Sequence, residues 1–200
     1  MKIYTIYPQG FASNTYAVTD DGINCILIDC AQPRVLSECK RLGLTPKAVL
    51  LTHGHYDHIG GCGQLYESGC KIYCGEDEKG FIFSQENAEV FGLPMPEFNI
   101  ERGLSDGEII KICGLEIKVL KTAGHTAGGV SYIIGENLFT GDTLFFGSVG
   151  RCDLPTGDQT RLISSVKKLY ALEGNYKVYS GHGEATTLEY ERKNNAFVRG

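Results

Sequence analysis

The sequence predicts an α/β fold, and three observations predict it. Short runs of apolar, β-branched and aromatic residues alternate with segments of helical period. Three of those runs close in one form, a glycine followed by a polar residue: Ala-Gly-His125, Thr-Gly-Asp142 and Ser-Gly-His182. The order of strands, helix and a strand ending in such residues occurs twice. Residues 1–200 are therefore read as a single domain of two similar halves.

The elements follow in order. Residues 3–7, 15–18 and 25–29 are rich in branched and aromatic side chains and read as strands. A helix over 33–42 carries Pro33 in its first turn, where a missing N–H costs nothing, and stops at Gly43. Ala48-Val49-Leu50-Leu51 is continuously apolar, the pattern of a buried strand, and delivers His53 and His55 at its C-terminal end. A helix over 57–68 is expected next, with Asp57 as its cap. Another strand starts at 72–73, and a helix is expected over 76–90. Gly92, Pro94 and Pro96 make 91–99 a loop, a candidate flap on the substrate side. Residues 108–113 and 115–120 form a hairpin about Gly114, and 130–134 and 138–140 are further strands. The segment 159–172 is an amphipathic helix with Leu162, Val166, Leu169 and Tyr170 on one face, and 177–179 is the last strand. The polar residues that close these strands fall where open α/β sheets place their sites.

The stretch His53-Gly54-His55-Tyr56-Asp57-His58 holds three of the chain's five histidines and a carboxylate within six residues. Imidazole and carboxylate are the ligands of zinc, iron and manganese. In extended chain leaving a strand, His53 and His55 point to one side, and Gly54 between them leaves room at the backbone. Asp57 and His58 point differently, which suits two adjacent metals rather than one. A lone His125 or His182 would read as a buried, hydrogen-bonded histidine; in this constellation both read as ligands.

His53-x-His55-x-Asp57-His58, then His125, Asp142 and His182, in that order and at these intervals, resembles the metallo-β-lactamase superfamily over about residues 4–195. Thr140-Gly141-Asp142-Thr143-Leu144-Phe145, Gly150-Arg151-Cys152-Asp153-Leu154-Pro155 and the stretch from Ser180 to Thr187 look like the short bacterial branch of glyoxalase II-like hydrolases. The resemblance implies a four-layer αββα sandwich. It implies a first metal on His53, His55 and His125, a second on Asp57, His58 and His182, and Asp142 bridging both. The cofactor expected is a pair of divalent ions, zinc first, with iron or manganese as alternatives. Asp57 and Asp142 are the candidate catalytic carboxylates.

The activity implied is hydrolysis of S-2-hydroxyacyl thioesters by a hydroxide that bridges the metals and attacks the carbonyl. A thiolate leaving group, near a pKa of about 8.5, needs little help from an acid. Full-length glyoxalase II enzymes add a helical segment that grips glutathione; only 18 residues follow His182, so that domain is not expected here. Arg151 is the candidate substrate anchor, with Arg192 and Lys193 weaker candidates. Three other readings compete. The first is a persulfide dioxygenase with one iron on His53 or His55, His125 and Asp142. The second is a lactonase or β-lactamase of the same superfamily. The third is a metal-binding protein without turnover, against which the complete ligand set argues.

Composition narrows the partners. A net charge of −5 with no Lys/Arg run argues against a nucleic-acid surface, and the partner that the resemblance implies is a small-molecule thioester. No signal segment opens the chain and no run of about 18 apolar residues crosses a membrane, which predicts a cytoplasmic protein. None of the eight cysteines forms a Cys-x-x-Cys pair; in a reducing compartment they are free thiols, most of them small core residues. Cys62 lies four residues after His58 and is assigned to the core rather than the site.

Overall fold

The computed structural model describes residues 1–200. In the first half, β1 (Lys2–Ile6), β2 (Thr15–Thr19) and β3 (Asn24–Ile28) precede α1 (Val35–Arg41) and β4 (Thr45–Leu50). Then come α2 (Tyr56–Ile59), α3 (Cys62–Glu67), β5 (Lys71–Gly75), a 3-10 turn (Glu76–Glu78), α4 (Lys79–Ile82), α5 (Gln85–Phe91) and β6 (Arg102–Leu104). The second half runs through β7 (Ile109–Ile112), β8 (Leu115–Lys121), β9 (Val130–Ile134), β10 (Asn137–Gly141), β11 (Leu144–Phe145) and β12 (Ser148–Val149). It closes with α6 (Gln159–Tyr170), β13 (Lys177–Ser180), β14 (Thr186–Thr187) and α7 (Leu188–Asn194).

Two six-stranded mixed sheets result, in the orders β1-β2-β3-β4-β5-β6 and β14-β13-β10-β9-β8-β7. Strands β3 to β6 run parallel, and β10 pairs β13 in parallel across α6. Side-chain alternation sorts each strand between two cores. In β3, Ile26 and Ile28 face the second sheet and meet Val119, Tyr132 and Phe139, while Cys25 and Leu27 face outward toward Val35, Cys39 and Leu65 of the helices. On the far side Val166, Leu169 and Tyr170 of α6 cover Leu138 and Val178. Helices therefore flank two face-to-face sheets, the four-layer αββα sandwich that the resemblance implied. No helix is long and apolar enough to cross a membrane.

Six of the cysteines, at 25, 30, 39, 62, 70 and 74, lie in the outer core of the first half, and all eight are free thiols. Cys62 is fully buried there, as assigned. Cys113 differs: it turns the β7–β8 hairpin with φ +52° and is only partly buried.

Several expected elements are corrected. The helix expected over 57–68 is two short helices, broken at Gly60-Gly61. Here the backbone docks on the chain after β3, with Cys30 N donating to His58 O and Gly61 N to Cys30 O, both at 2.8 Å. A Cβ on Gly61 would overlap Gln32 O and come within 2.6 Å of Cys30 Sγ, so only glycine passes. Asp57 is not the cap: His55 holds that position and Asp57 is the second helical residue, its side chain free for the site. The helix expected over 76–90 is a 3-10 turn and two helices, because Ser84 caps α5 by accepting from Asn87 N and so ends the preceding turn. Of the proposed flap 91–99, only Phe91 lines the central cleft; Met95 and Phe98 pack on the outer core. Residues 177–179 are not the last strand, since β14 adds an edge beyond β13.

Candidate metal centre

Every predicted ligand reaches one place, the C-terminal ends of β4, β8, β10 and β13. His53 follows β4, and its ring meets those of His55, His125 and His58 at centroid distances of 4.8, 4.7 and 4.0 Å. His125 Nε2 lies 2.9 Å from His55 Nδ1. His182 Nε2 lies 3.1 Å from Asp57 Oδ2. Asp142 faces both sets: Oδ1 is 3.2 Å from His58 Nε2, and Oδ2 is 3.5 Å from His125 Nε2 and 3.6 Å from His182 Nε2. The donor atoms of His53, His55 and His125 converge within 4.8 Å of one another, as do those of Asp57, His58 and His182. A third set, His53, His58 and Asp142, converges in the same way and joins the two.

The glycines that precede the ligands are steric requirements. A Cβ on Gly181 would overlap Asp142 Oδ1 and stand 2.6 Å from His58 Cε1. Replacing Gly181 with alanine is expected to push Asp142 off its position and lower metal content per chain, measured by elemental analysis, while the two sheets still form by circular dichroism. Gly124 carries φ +139° and its Cβ would overlap the backbone of Leu162 in α6, so the His125 loop can lie on the helix only as glycine.

Partners that sequence reasoning missed hold the ligands in register. Asp29, at the end of β3 with φ +58°, accepts from Thr52 N at 2.7 Å and from Thr52 Oγ1 and His58 Nδ1 at 2.8 Å. Thr52 Oγ1 lies 3.1 Å from His53 Nδ1. The carbonyl of Arg151 lies 2.7 Å from His125 Nδ1. A carbonyl only accepts, so Nδ1 of His125 carries the proton and Nε2 is left with its lone pair toward the site. Glu78, fully buried, accepts from Gly54 N, Thr126 Oγ1 and Gly128 N. Burial pushes its carboxyl up to about 7 against the pull of those three bonds. Asp29 showed one signal in the sequence, an acid at the end of an apolar strand; Glu78 showed none, lying in a run of exposed-looking charges.

The donors fit divalent ions. Nε2 of His53, His55 and His58 and Oδ1 of Asp142 are buried with no hydrogen-bond partner, a costly state unless something else binds them. His58 Nε2 and Asp142 Oδ1, 3.2 Å apart without hydrogen-bond geometry, have the spacing of two donors on one tetrahedral ion, about 3.3 Å. Burial, with its histidine neighbours, lowers His53 well below the usual imidazole range, and burial with His125 lowers His55 to about 3. Both rings are therefore neutral donors at pH 7. Burial opposes charge on His58, but Asp142, Asp29 and Asp57 outweigh it and raise its pKa. Burial likewise opposes charge on Asp142, and His58 above all holds its carboxyl well below the usual range. The three carboxylates around this buried ring draw positive charge to the position, which a bound cation would supply.

A cleft of about 470 Å³ opens over this cluster, lined by Val90, Phe91, Phe145 and Leu154 and by Arg151. Arg151 is where the sequence put it, at the cleft, but its guanidinium is engaged by Asp153 through two bonds of 2.7 Å. Arg192 is not at the cleft: it donates to the carbonyls of Tyr170, Leu172 and Gly174 and ties α7 to the end of α6. Lys193 pairs with Glu189 at the surface.

Known proteins agree with this architecture. The profile of the metallo-β-lactamase superfamily matches residues 8–182. The hydroxyacylglutathione hydrolase GloC of Haemophilus influenzae is 37% identical over 99% of this chain and 98% of its own. The crystal structure of the B3 metallo-β-lactamase BLEG-1 superposes with a TM-score of 0.92 at 32% identity, covering 100% of both chains. TTHA1623, crystallised in a di-iron-bound form, superposes at 0.79 with 34% identity over 99% of this chain and 100% of its own. With the sandwich, the orphaned donors and these likenesses together, the chain belongs to the metallo-β-lactamase superfamily and is a metallo-hydrolase with a His/Asp metal site.

Proposed function

We propose that the protein hydrolyses S-2-hydroxyacyl thioesters at a dinuclear centre, with His53, His55 and His125 holding one ion, Asp57, His58 and His182 the other, and Asp142 both. The observation that carries the reading is the placement of Asp142 beneath the cleft, with Oδ1 toward His58 of one triad and Oδ2 between His182 of that triad and His125 of the other. A bound pair of divalent ions supplies hydroxide near neutral pH and offsets charge developing on the carbonyl oxygen. The chain's own residues do the rest. Val90, Phe91, Phe145 and Leu154 exclude water around the acyl group. Asp57 Oδ2, beside His182 Nε2, orients the attacking oxygen and holds its proton. The C–O bond forms, the C–S bond breaks, and the sulfur leaves as thiolate without a general acid. Beyond the ligands and the paired Arg151, the cleft lining is apolar and offers none. Arg151, freed from Asp153, is the anchor for a carboxylate on the thiol carrier. The likeness to GloC, a hydroxyacylglutathione hydrolase by name, supports glutathione as the first carrier to try.

The experiment is metal analysis of protein purified under nitrogen without chelator, followed by hydrolysis of S-lactoylglutathione and other thioesters. About two ions per chain are expected, zinc, iron or manganese, with turnover lost on chelation and restored by adding metal back. The likeness to BLEG-1 favours a second reading, a β-lactamase: cleavage of a β-lactam with no thioester turnover would replace the first by it. One iron per chain with oxygen consumed on a persulfide would overturn both.

A further inference from the structure

We infer that Glu78 is a positioning residue for one metal only, the one held by His53, His55 and His125, and that it acts by tying together the two loops that carry them. The inference rests on the metal-centre reading above but not on the thioester. These three histidines come from opposite halves of the molecule. His53 and His55 sit on the loop after β4 in one sheet, and His125 sits on the β8–β9 loop of the other. One carboxylate spans the gap. Its Oε1 accepts from Gly54 N at 2.8 Å, the peptide between His53 and His55. Its Oε2 accepts from Thr126 Oγ1 at 2.9 Å and from Gly128 N at 3.0 Å, directly after His125.

The same segment grips the other side of the Gly54 peptide. Asn87, fully buried on α5, donates to Gly54 O at 2.7 Å and to Ile82 O at 3.0 Å. Space is matched on both loops. A Cβ on Gly54 would stand 2.6 Å from Ile82 Cγ1, and one on Gly128 would overlap Glu78 N. Glycine at both positions is what lets the 3-10 turn and α4 wedge between the loops.

A carboxylate is chemically specific for this task. All three donors need an acceptor, and they approach from two sides, so the residue must accept through two atoms. Glutamine has one accepting oxygen and would point its NH2 at a donor on one loop or the other. Burying a carboxyl away from water is costly even with three bonds, and apolar side chains would fill the same space at less cost if only the fold were served. The other triad lacks any such contact with Glu78: Asp57, His58 and His182 are held by Asp29 and by one another.

The test is titration of the metal-free protein with cobalt(II) under nitrogen, following the visible bands of the bound ion and the two successive affinities. His182→Ala serves as a marker, since it removes a ligand of the other ion. Glu78→Gln is expected to lower the affinity of the ion that His182→Ala retains by about 10- to 100-fold, the range for losing an outer-sphere partner, and to leave the other within about threefold. Thr126→Val, which removes one of the three donors while keeping the volume, is expected to shift the same ion by a smaller factor. Chemical denaturation of the metal-free variants runs in parallel. Equal loss of both ions, or wild-type affinities for both in Thr126→Val or in folded Glu78→Gln, would overturn the inference. Wild-type protein that takes up fewer than two cobalt ions would instead overturn the dinuclear reading, and inactivity toward thioesters would leave the inference standing.

Discussion

Replacing Asp142 with alanine is expected to abolish hydrolysis and to leave the protein with fewer than two metal ions per chain. Asp142 faces both triads: Oδ1 is directed to His58, and Oδ2 to His125 and His182. At the proposed dinuclear centre its loss would remove a donor from each ion at once and with it the charge that draws the two cations together. Removing an outer-sphere partner already costs about 10- to 100-fold in metal affinity, so loss of a shared ligand should exceed the upper end of that range. Asp142→Asn separates the two contributions, since it keeps the volume and one oxygen but removes the charge. The readouts are metal content after dialysis, circular dichroism and turnover. The fold should survive, because the side chain lies at the floor of the cleft rather than in a hydrophobic core. An Asp142→Ala protein that keeps two ions and full rate would sink the assignment.

The ligands were legible because the chain uses its chemistry sparingly. Five histidines in 200 residues, three in one hexapeptide and two behind glycines, leave few ways to be arranged. What held them was not legible. Thr52 looks like the tail of an apolar strand, and it is a hydroxyl relay between His53 and Asp29. Arg151 invites attention for its guanidinium, but its backbone carbonyl orients His125 while the guanidinium pairs with Asp153. A backbone oxygen has no sequence signature, and Glu78 looks like any acid in Glu76-Asp77-Glu78 until the sheets bring the two loops to it.

The fold shows the same division. The longer strands and α6 were readable, since each depends on its own periodicity and burial followed it, as at Leu162, Val166, Leu169 and Tyr170, whereas the two- and three-residue strands β6, β11 and β12 were not expected. The errors lie where a tertiary contact overrides local pattern. Helix propensity runs on through Gly60-Gly61 apart from two small residues, but hydrogen bonds to Cys30 turn the chain away. The edge strand β14 is two threonines with no pattern at all, paired only because β13 presents an edge to them.

The second large effect is expected at Asp29, and it differs in kind from that at Glu78. Asp29 bonds His58 directly and His53 through Thr52, so it orients one ligand in each triad. Asp29→Asn is the informative change, because asparagine tolerates the positive φ of +58° and keeps the backbone as it is. The amide then has one accepting oxygen for three donors. Turned one way it points NH2 at Thr52 N; turned the other it points NH2 at both Thr52 Oγ1 and His58 Nδ1. In either orientation a buried donor is left unpaired, a cost of about 1–3 kcal/mol that urea denaturation of the metal-free protein should show. Freed of its acceptor, His58 or His53 can turn, and affinity for both ions should fall together by about 10- to 100-fold. Cobalt titration distinguishes this from Glu78→Gln, where one ion alone weakens. An Asp29→Asn protein with unchanged stability and unchanged affinities would show that the ligands are held by packing rather than by this hydrogen-bond relay.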